Sequence, residues 1–299
     1  MVDTVRIGDV SVARIEEMLT PGFDPAFLFP DFSPALLERF PILSSPNFLD
    51  PASGRLMSSM HSWLLKIGKD VILIDTGCGN HKHRAPAAFK RFHMLDLPFL
   101  DRLAEAGVAP EDVTYVINTH LHVDHVGWNT MLVDGQWVPT FPRARYIFGA
   151  KEFANWTTDG RSLRAQPEGG PVIVDSVMPV VDAGLVDFVE AGDRLLDVIS
   201  FVAAPGHTDG QLNIRVESKG ETGVFTADVL HQPMQIVCPT LNSRFCEDNE
   251  RAPLTRRKLL DFAAESDAIL FPQHFGAPHA GYARREGSGF AFEPVVWKN

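Results

Sequence analysis

The sequence predicts an α/β fold, and three observations predict it. Apolar, β-branched runs of strand length recur along the chain, helical spacing appears between some of them, and four of the runs end at a residue able to bind metal. Trp63–Ile67 and Val71–Asp75 read as short strands joined by a Gly68-Lys69-Asp70 turn. Pro98–Ala106 reads as a helix stopped by Gly107. The four runs are Val113–Ile117, Leu195–Ala203, Val224–Ala227 and Ala268–Phe271; His120, His207, Asp228 and His274 follow them in that order. Thr255–Ala264, between the third and fourth, carries its leucines and phenylalanine at helical spacing. Loops leaving the same end of a sheet converge even when far apart in sequence, so this order predicts one site built from four loops.

With 299 residues, 45% of them hydrophobic, and no internal repeat or low-complexity linker, the expectation is a single domain over 1–299. A net charge of −11, from 27 Lys+Arg against 38 Asp+Glu, argues against nucleic acid or an acidic membrane as partner. Three scattered cysteines make no disulfide framework and no Cys-x-x-Cys spacing. With no signal-peptide pattern and no run of roughly 18 apolar residues, a cytoplasmic protein is expected.

Residues 21–54 differ in texture. They are rich in Pro and Phe and lack a sustained helix or strand period. Such a stretch reads as an N-terminal arm packed on the body, as a cap over a site, or as a homodimer contact. In the cap reading Phe27 and Phe29, with Phe23 and Phe32 beside them, would face a neutral substrate.

The segment Thr119-His120-Leu121-His122-Val123-Asp124-His125-Val126-Gly127-Trp128 holds three histidines and an aspartate within six residues. In a tight loop at a strand end, His120 and His122 can aim at one ion while Asp124 and His125 aim at a second. Imidazole with some carboxylate suits zinc first, and also iron, cobalt, nickel or manganese. Two divalent ions need more ligands than one loop supplies, and His207, Asp228 and His274 are the candidates. Taken alone, His207 in Pro205-Gly206-His207-Thr208 could cap a turn or sit on the surface, and Asp228 could cap a strand end. A carboxylate is, however, the common side chain able to bridge two cations, which makes Asp228 the candidate bridge.

These residues resemble the metallo-β-lactamase superfamily, from about Ser62 to His274. The resemblance is carried by Asp75-Thr76-Gly77, His120-x-His122-x-Asp124-His125, Gly206-His207-Thr208, Ala227-Asp228 and His274. It implies an αββα sandwich of two mixed β-sheets flanked by helices. It also implies that His120, His122 and His207 bind metal 1, that Asp124, His125 and His274 bind metal 2, and that Asp228 bridges them. Within the superfamily, true β-lactamases lack the bridging aspartate, flavodiiron proteins carry Glu where His122 stands, and nuclease branches add basic elements absent here. Gly206-His207-Thr208-Asp209-Gly210-Gln211 and Ala227-Asp228-Val229-Leu230-His231 are most similar to the quorum-quenching N-acyl-homoserine lactonases and the related methyl parathion hydrolases. Homoserine lactonases place a tyrosine three residues after the bridging aspartate, where this chain has His231; the organophosphate-hydrolase-like members match better there.

The implied reaction is attack of a metal-held hydroxide on a small, uncharged lactone or ester, with Asp124, Asp228 and His231 in catalytic roles. A phosphotriesterase, a glyoxalase II-like thioesterase and a non-catalytic binding protein are the rival readings. Trp128 reads either as a packing residue or as a substrate platform. His81 and His83 read as solvent-exposed, and His61, His93 and His279 carry no assigned role.

Overall fold

The computed structural model describes residues 2–85 and 87–297. Its contacts group the chain into two compact units, the first built mainly of residues 2–17 and 60–193 and the second of residues 18–59 and 194–297.

The sheet of the first unit is ordered Thr4–Ile7, Val10–Pro21, Met57–Ile67, Asp70–Ile74, Tyr115–Asn118, Arg145–Gly149, Val186–Val189. Its last four strands run parallel. Ile72, Leu73, Ile74, Val116, Ile117, Ile147 and Phe148 are buried on both faces, which is why these strands read as continuous apolar runs rather than alternating ones. Parallel pairing needs crossovers, and helices Phe99–Glu105 and Ala150–Trp156 lie within them. Because the strands are parallel, the segments after Ile74, Asn118 and Gly149 all leave from one end of the sheet.

The second unit holds another seven-stranded mixed sheet, ordered Arg194–Leu195, Ile199–Ala203, Leu212–Ser218, Glu221–Ala227, Ile269–Pro272, Gly281–Glu286, Gly289–Pro294. Glu221–Ala227 and Ile269–Pro272 pair in parallel, joined through the helix Arg251–Ser266. That helix buries Leu259, Leu260 and Ala263 in a core with Val224, Leu270 and Phe292.

Two expectations change. The run Leu195–Ala203, read as one strand, is a hairpin of Arg194–Leu195 against Ile199–Ala203. Leu196 and Asp197 sit at φ 51° and 56°, a left-handed pair that ends one strand and reverses the chain. The helix read over Thr255–Ala264 extends from Arg251 to Ser266. The segment 21–54 contains only the short helices Pro25–Leu28, Ala35–Arg39 and Pro41–Ser44. It packs within its own unit, where Leu28, Phe29, Leu43 and Leu56 share a core with Met234 and Leu241.

Candidate metal centre

In the first unit the loop after Tyr115–Asn118 carries His120, His122, Asp124 and His125. The loop is folded back by buried backbone bonds: the His125 carbonyl accepts from Thr76 N at 2.7 Å and from Asn118 Nδ2 at 2.7 Å. Gly127 follows, and a Cβ there would stand 1.9 Å from the Cys78 backbone, so glycine is required for the two loops to cross.

Asp75 orients the imidazoles. Held at φ 56°, it receives His125 Nδ1 at 2.9 Å and the Thr119 hydroxyl at 2.8 Å. Thr119 Oγ1, its own proton directed at Asp75, faces His120 Nδ1 at 3.1 Å. Both rings thereby present Nε2 outward, the arrangement that second partners impose on metal-binding histidines. His120 Nε2 and His122 Nδ1 face each other at 3.1 Å, and His125 Nε2 lies 3.7 Å from Asp124 Oδ1. The ring centroids of His120 and His125 are 4.0 Å apart. Three imidazoles and a carboxylate are thus concentrated on one small surface, with His120 and His125 buried and His122 and Asp124 partly exposed.

In the second unit three strand ends converge on one carboxylate. Asp228 Oδ2 lies 3.1 Å from His207 Nε2 and 3.2 Å from His231 Nε2, and Oδ1 lies 3.0 Å from His274 Nε2. All four side chains are buried. His274 is oriented by Nδ1 on the Ser59 carbonyl at 3.0 Å. Asp228 follows a register shift at the end of Glu221–Ala227, with Ala227 at φ 45°, which re-aims the strand end. Gly206 at φ 139° precedes His207; a Cβ there would stand 2.5 Å from Ala252 Cα. Three imidazole nitrogens beside the two oxygens of one carboxylate form a donor set that fits a divalent cation of the zinc class.

The predicted ligands in each unit are therefore brought together, and His231 joins Asp228. The predicted substrate residues behave differently. Trp128 is 5% exposed, its indole N–H donates to Glu17 Oε1 at 2.7 Å and its ring stacks on Phe99; this is a packing role in place of the platform. Phe29 is fully buried, so it belongs to the core of the arm and not to a substrate-facing surface. Phe27 is 39% exposed, stacked on Phe23 and covered by the Arg244 guanidinium. His81 and His83 are exposed.

Sequence reasoning missed the polar scaffold behind the first cluster. Glu17 is buried in the strand Val10–Pro21, on the face it shares with buried Ile15, and its carboxylate accepts from Cys78 N at 2.7 Å, Gly79 N at 2.9 Å and Trp128 Nε1. Burial pushes its pKa up, against the pull of these hydrogen bonds. Lys82 and Arg84 alternate with the exposed histidines but are buried. Arg84 holds Asp175 in two hydrogen bonds of 2.6 and 2.8 Å, and Lys82 Nζ donates to Thr130 Oγ1 at 2.8 Å. Burial lowers the Lys82 pKa to about 7, partly offset by Asp175.

Residues 59–274 match the model of the metallo-beta-lactamase superfamily. The chain belongs to that superfamily. It is a hydrolase of the group, with the αββα fold expected of it. Among curated proteins, the N-acyl homoserine lactonase AiiB of Agrobacterium fabrum is 25% identical over 208 residues, covering 62% of this chain and 69% of that protein. The AiiB of Rhizobium rhizogenes matches with the same identity and coverage. Among solved structures, the hydrolase AbOPH of the beta lactamase superfamily superposes with a TM-score of 0.81 at 22% identity, covering 100% of this chain and 99% of that one. AidC, a dizinc quorum-quenching lactonase solved with the product N-hexanoyl-L-homoserine, gives 0.76 at 22% identity over 100% of this chain and 98% of that one. Among the described residues, no helix is long and apolar enough to cross a membrane.

Proposed function

We propose that the chain is a dinuclear metal-dependent hydrolase that opens a small, uncharged lactone or ester. In this reading His120, His122, His207 and Asp228 hold one ion, Asp124, His125 and His274 hold the other, and Asp228 bridges them. The observation that carries it is the position of Asp228. One of its oxygens faces His207, from the first ligand set, and the other faces His274, from the second. A carboxylate with each oxygen turned to a different set is what a bridge between two cations requires. The family match runs from 59 to 274 and so includes ligands from both units, which supports their working as one domain. AidC is a dizinc enzyme, which supports zinc here.

Bound divalent metal would supply Lewis acidity and bring the pKa of a coordinated water toward neutrality. The chain's own residues do the rest. Asp75 and Thr119 hold the tautomers of His125 and His120, and Ser59 holds that of His274. Asp124 stands beside His125, where its carboxylate can hold a proton during attack and release it to the leaving alkoxide. His231 has one ring nitrogen on Asp228, while its buried Nδ1 has no hydrogen-bond partner among the described residues. In this reading His231, beside Asp228, contacts a substrate oxygen through its imidazole.

His231 also favours a second reading, hydrolysis of organophosphate triesters, because an imidazole replaces the tyrosine expected of a homoserine lactonase. One metal-defined preparation assayed on γ-butyrolactone, a long-chain acyl-homoserine lactone and a paraoxon-like triester separates the two. The lactones are expected to turn over faster, with about two metal equivalents per chain. Faster triester turnover would select the second reading, and equal rates with and without metal would sink both.

A further inference from the structure

We propose that Gln235 is the positioning residue for His231. Its buried side-chain amide bridges the two ends of one loop of the second unit and so sets where the His231 imidazole stands beside Asp228. The inference rests on the reading of His231 as a substrate-contacting residue and adds the group that holds it there.

Between the strand Glu221–Ala227 and the short helix Met234–Val237 the chain lies outside both sheet and helix, yet residues 228–232 are buried. A buried backbone N–H without a ladder partner needs an acceptor from a side chain. His231 N donates to Gln235 Oε1 at 2.6 Å, and Gln235 Nε2 donates to the Leu241 carbonyl at 2.9 Å. Such a bridge must accept at one end and donate at the other, and a primary amide does both from one planar group. An apolar side chain of the same length would fill the space and leave both backbone groups unpaired.

Both ends of the bridge are fixed by packing. Met234 and Leu241 belong to the apolar core of the arm with Leu28 and Phe29, while Leu230 and Ile236 belong to the core that the helix Arg251–Ser266 buries. Arg256 ties the same two stretches a second time: Nε donates to the Val229 carbonyl at 2.8 Å and Nη1 to the Pro239 carbonyl at 2.6 Å. The loop is therefore closed at 229 with 239 and again at 231 with 241. Loss of the Gln235 bridge leaves the Arg256 one in place, so the loop keeps its closure while residue 231 loses its own tether.

His231 Nε2 stands 3.2 Å from Asp228 Oδ2, and its ring centroid lies 5.1 Å from that of His207 and 5.7 Å from that of His274. Two rotatable bonds separate the ring from the backbone, so a shift of the residue 231 backbone carries the imidazole with it. A displacement of about 1 Å at a reacting group costs on the order of 100-fold in rate. Both bonds of the Gln235 amide go to backbone groups, neither of them of a candidate metal ligand, so metal binding is expected to survive its replacement.

Nuclear magnetic resonance of zinc-loaded protein with isotope-labelled histidine tests the proposal, together with turnover of whichever of γ-butyrolactone and the paraoxon-like triester is hydrolysed faster. The His231 ring signal is identified by its loss in His231→Ala. Gln235→Met should displace that signal, leave those of the exposed His81 and His83 in place, retain full zinc content and lower kcat by about tenfold or more. Gln235→Asn, a second variant whose amide is too short to reach both backbone groups, should act in the same direction. In the His231→Ala background Gln235→Met should change kcat by less than about twofold, because the two residues act as one unit; a purely structural role would lower kcat alike in both backgrounds. A His231 signal unmoved in both Gln235 variants would overturn the proposal, as would equal fractional losses of kcat in the two backgrounds. Parental turnover in His231→Ala would instead remove the substrate contact assigned to His231, while a displaced signal would still establish the positioning.

Discussion

The cluster at 120–125 draws four donor side chains from one loop, whereas the cluster around Asp228 joins His231, three residues further along the same loop, to His207 and His274 from other strand ends of the second unit. The first is ordered by neighbours close at hand: Thr119 is the residue before His120, and Asp75 ends the adjacent parallel strand. The second is ordered around one carboxylate whose oxygens sit 3.0–3.2 Å from three imidazoles. A contiguous cluster therefore keeps its shape as long as one loop does. A convergent cluster depends on its central residue, because that is where side chains from different strand ends meet.

That contrast can be broken most severely at Asp228. Asp228→Ala should drop turnover by about three orders of magnitude or more, since it removes the central carboxylate of one cluster and the proposed bridge together. Metal content, read by elemental analysis, should fall with it. Retention of full metal content and rate would mean that Asp228 does not organise the second cluster.

Asp75→Asn sharpens the comparison from the other side. Asparagine tolerates the left-handed backbone at 75, so the loop should keep its course while the partner of His125 loses its charge. Metal affinity is expected to fall by about 10- to 100-fold, with far less effect on folding. An unchanged affinity in a competition titration would show that the loop backbone alone orders the first cluster.

The smallest effect belongs to the scaffold behind the first cluster. Lys82, with its folded pKa near 7 against an ordinary value of 10.5, is neutral in the native state over a range where the unfolded chain holds the proton. The unfolded state then binds more protons between about pH 7 and 10.5, so this residue makes stability rise with pH across that window. Lys82→Met should flatten the rise without altering turnover, while Arg84 keeps its two bonds to Asp175. Urea unfolding at pH 7 and pH 10 reads the difference; an identical pH dependence in the two proteins would refute it.

The metal chemistry was legible because it resides in residue types and short spacing. His120-x-His122-x-Asp124-His125 is dense enough to stand out, and its loop position follows from the apolar strand before it. The buried strands were legible for a similar reason, since parallel pairing demands apolar side chains on both faces. The hairpin hidden in Leu195–Ala203 was not, because a left-handed Leu196 has no composition signal. Phe29 and Trp128 also escaped. An aromatic ring has the same letter whether it meets a substrate or fills a core, and only their neighbours, Met234 and Leu241 for the one and Glu17 and Phe99 for the other, decide between them.

The sequence by itself determined the α/β class and the superfamily and supplied the candidate donor residues, since these depend on chemical identity and periodicity along the chain. Tertiary structure alone decided which side chains orient the donors and which polar groups lie buried away from them. Glu17, Lys82, Arg84 and Asn213 are polar residues that any surface could accept. Their burial is a property of packing between distant segments, and packing is not written in local spacing.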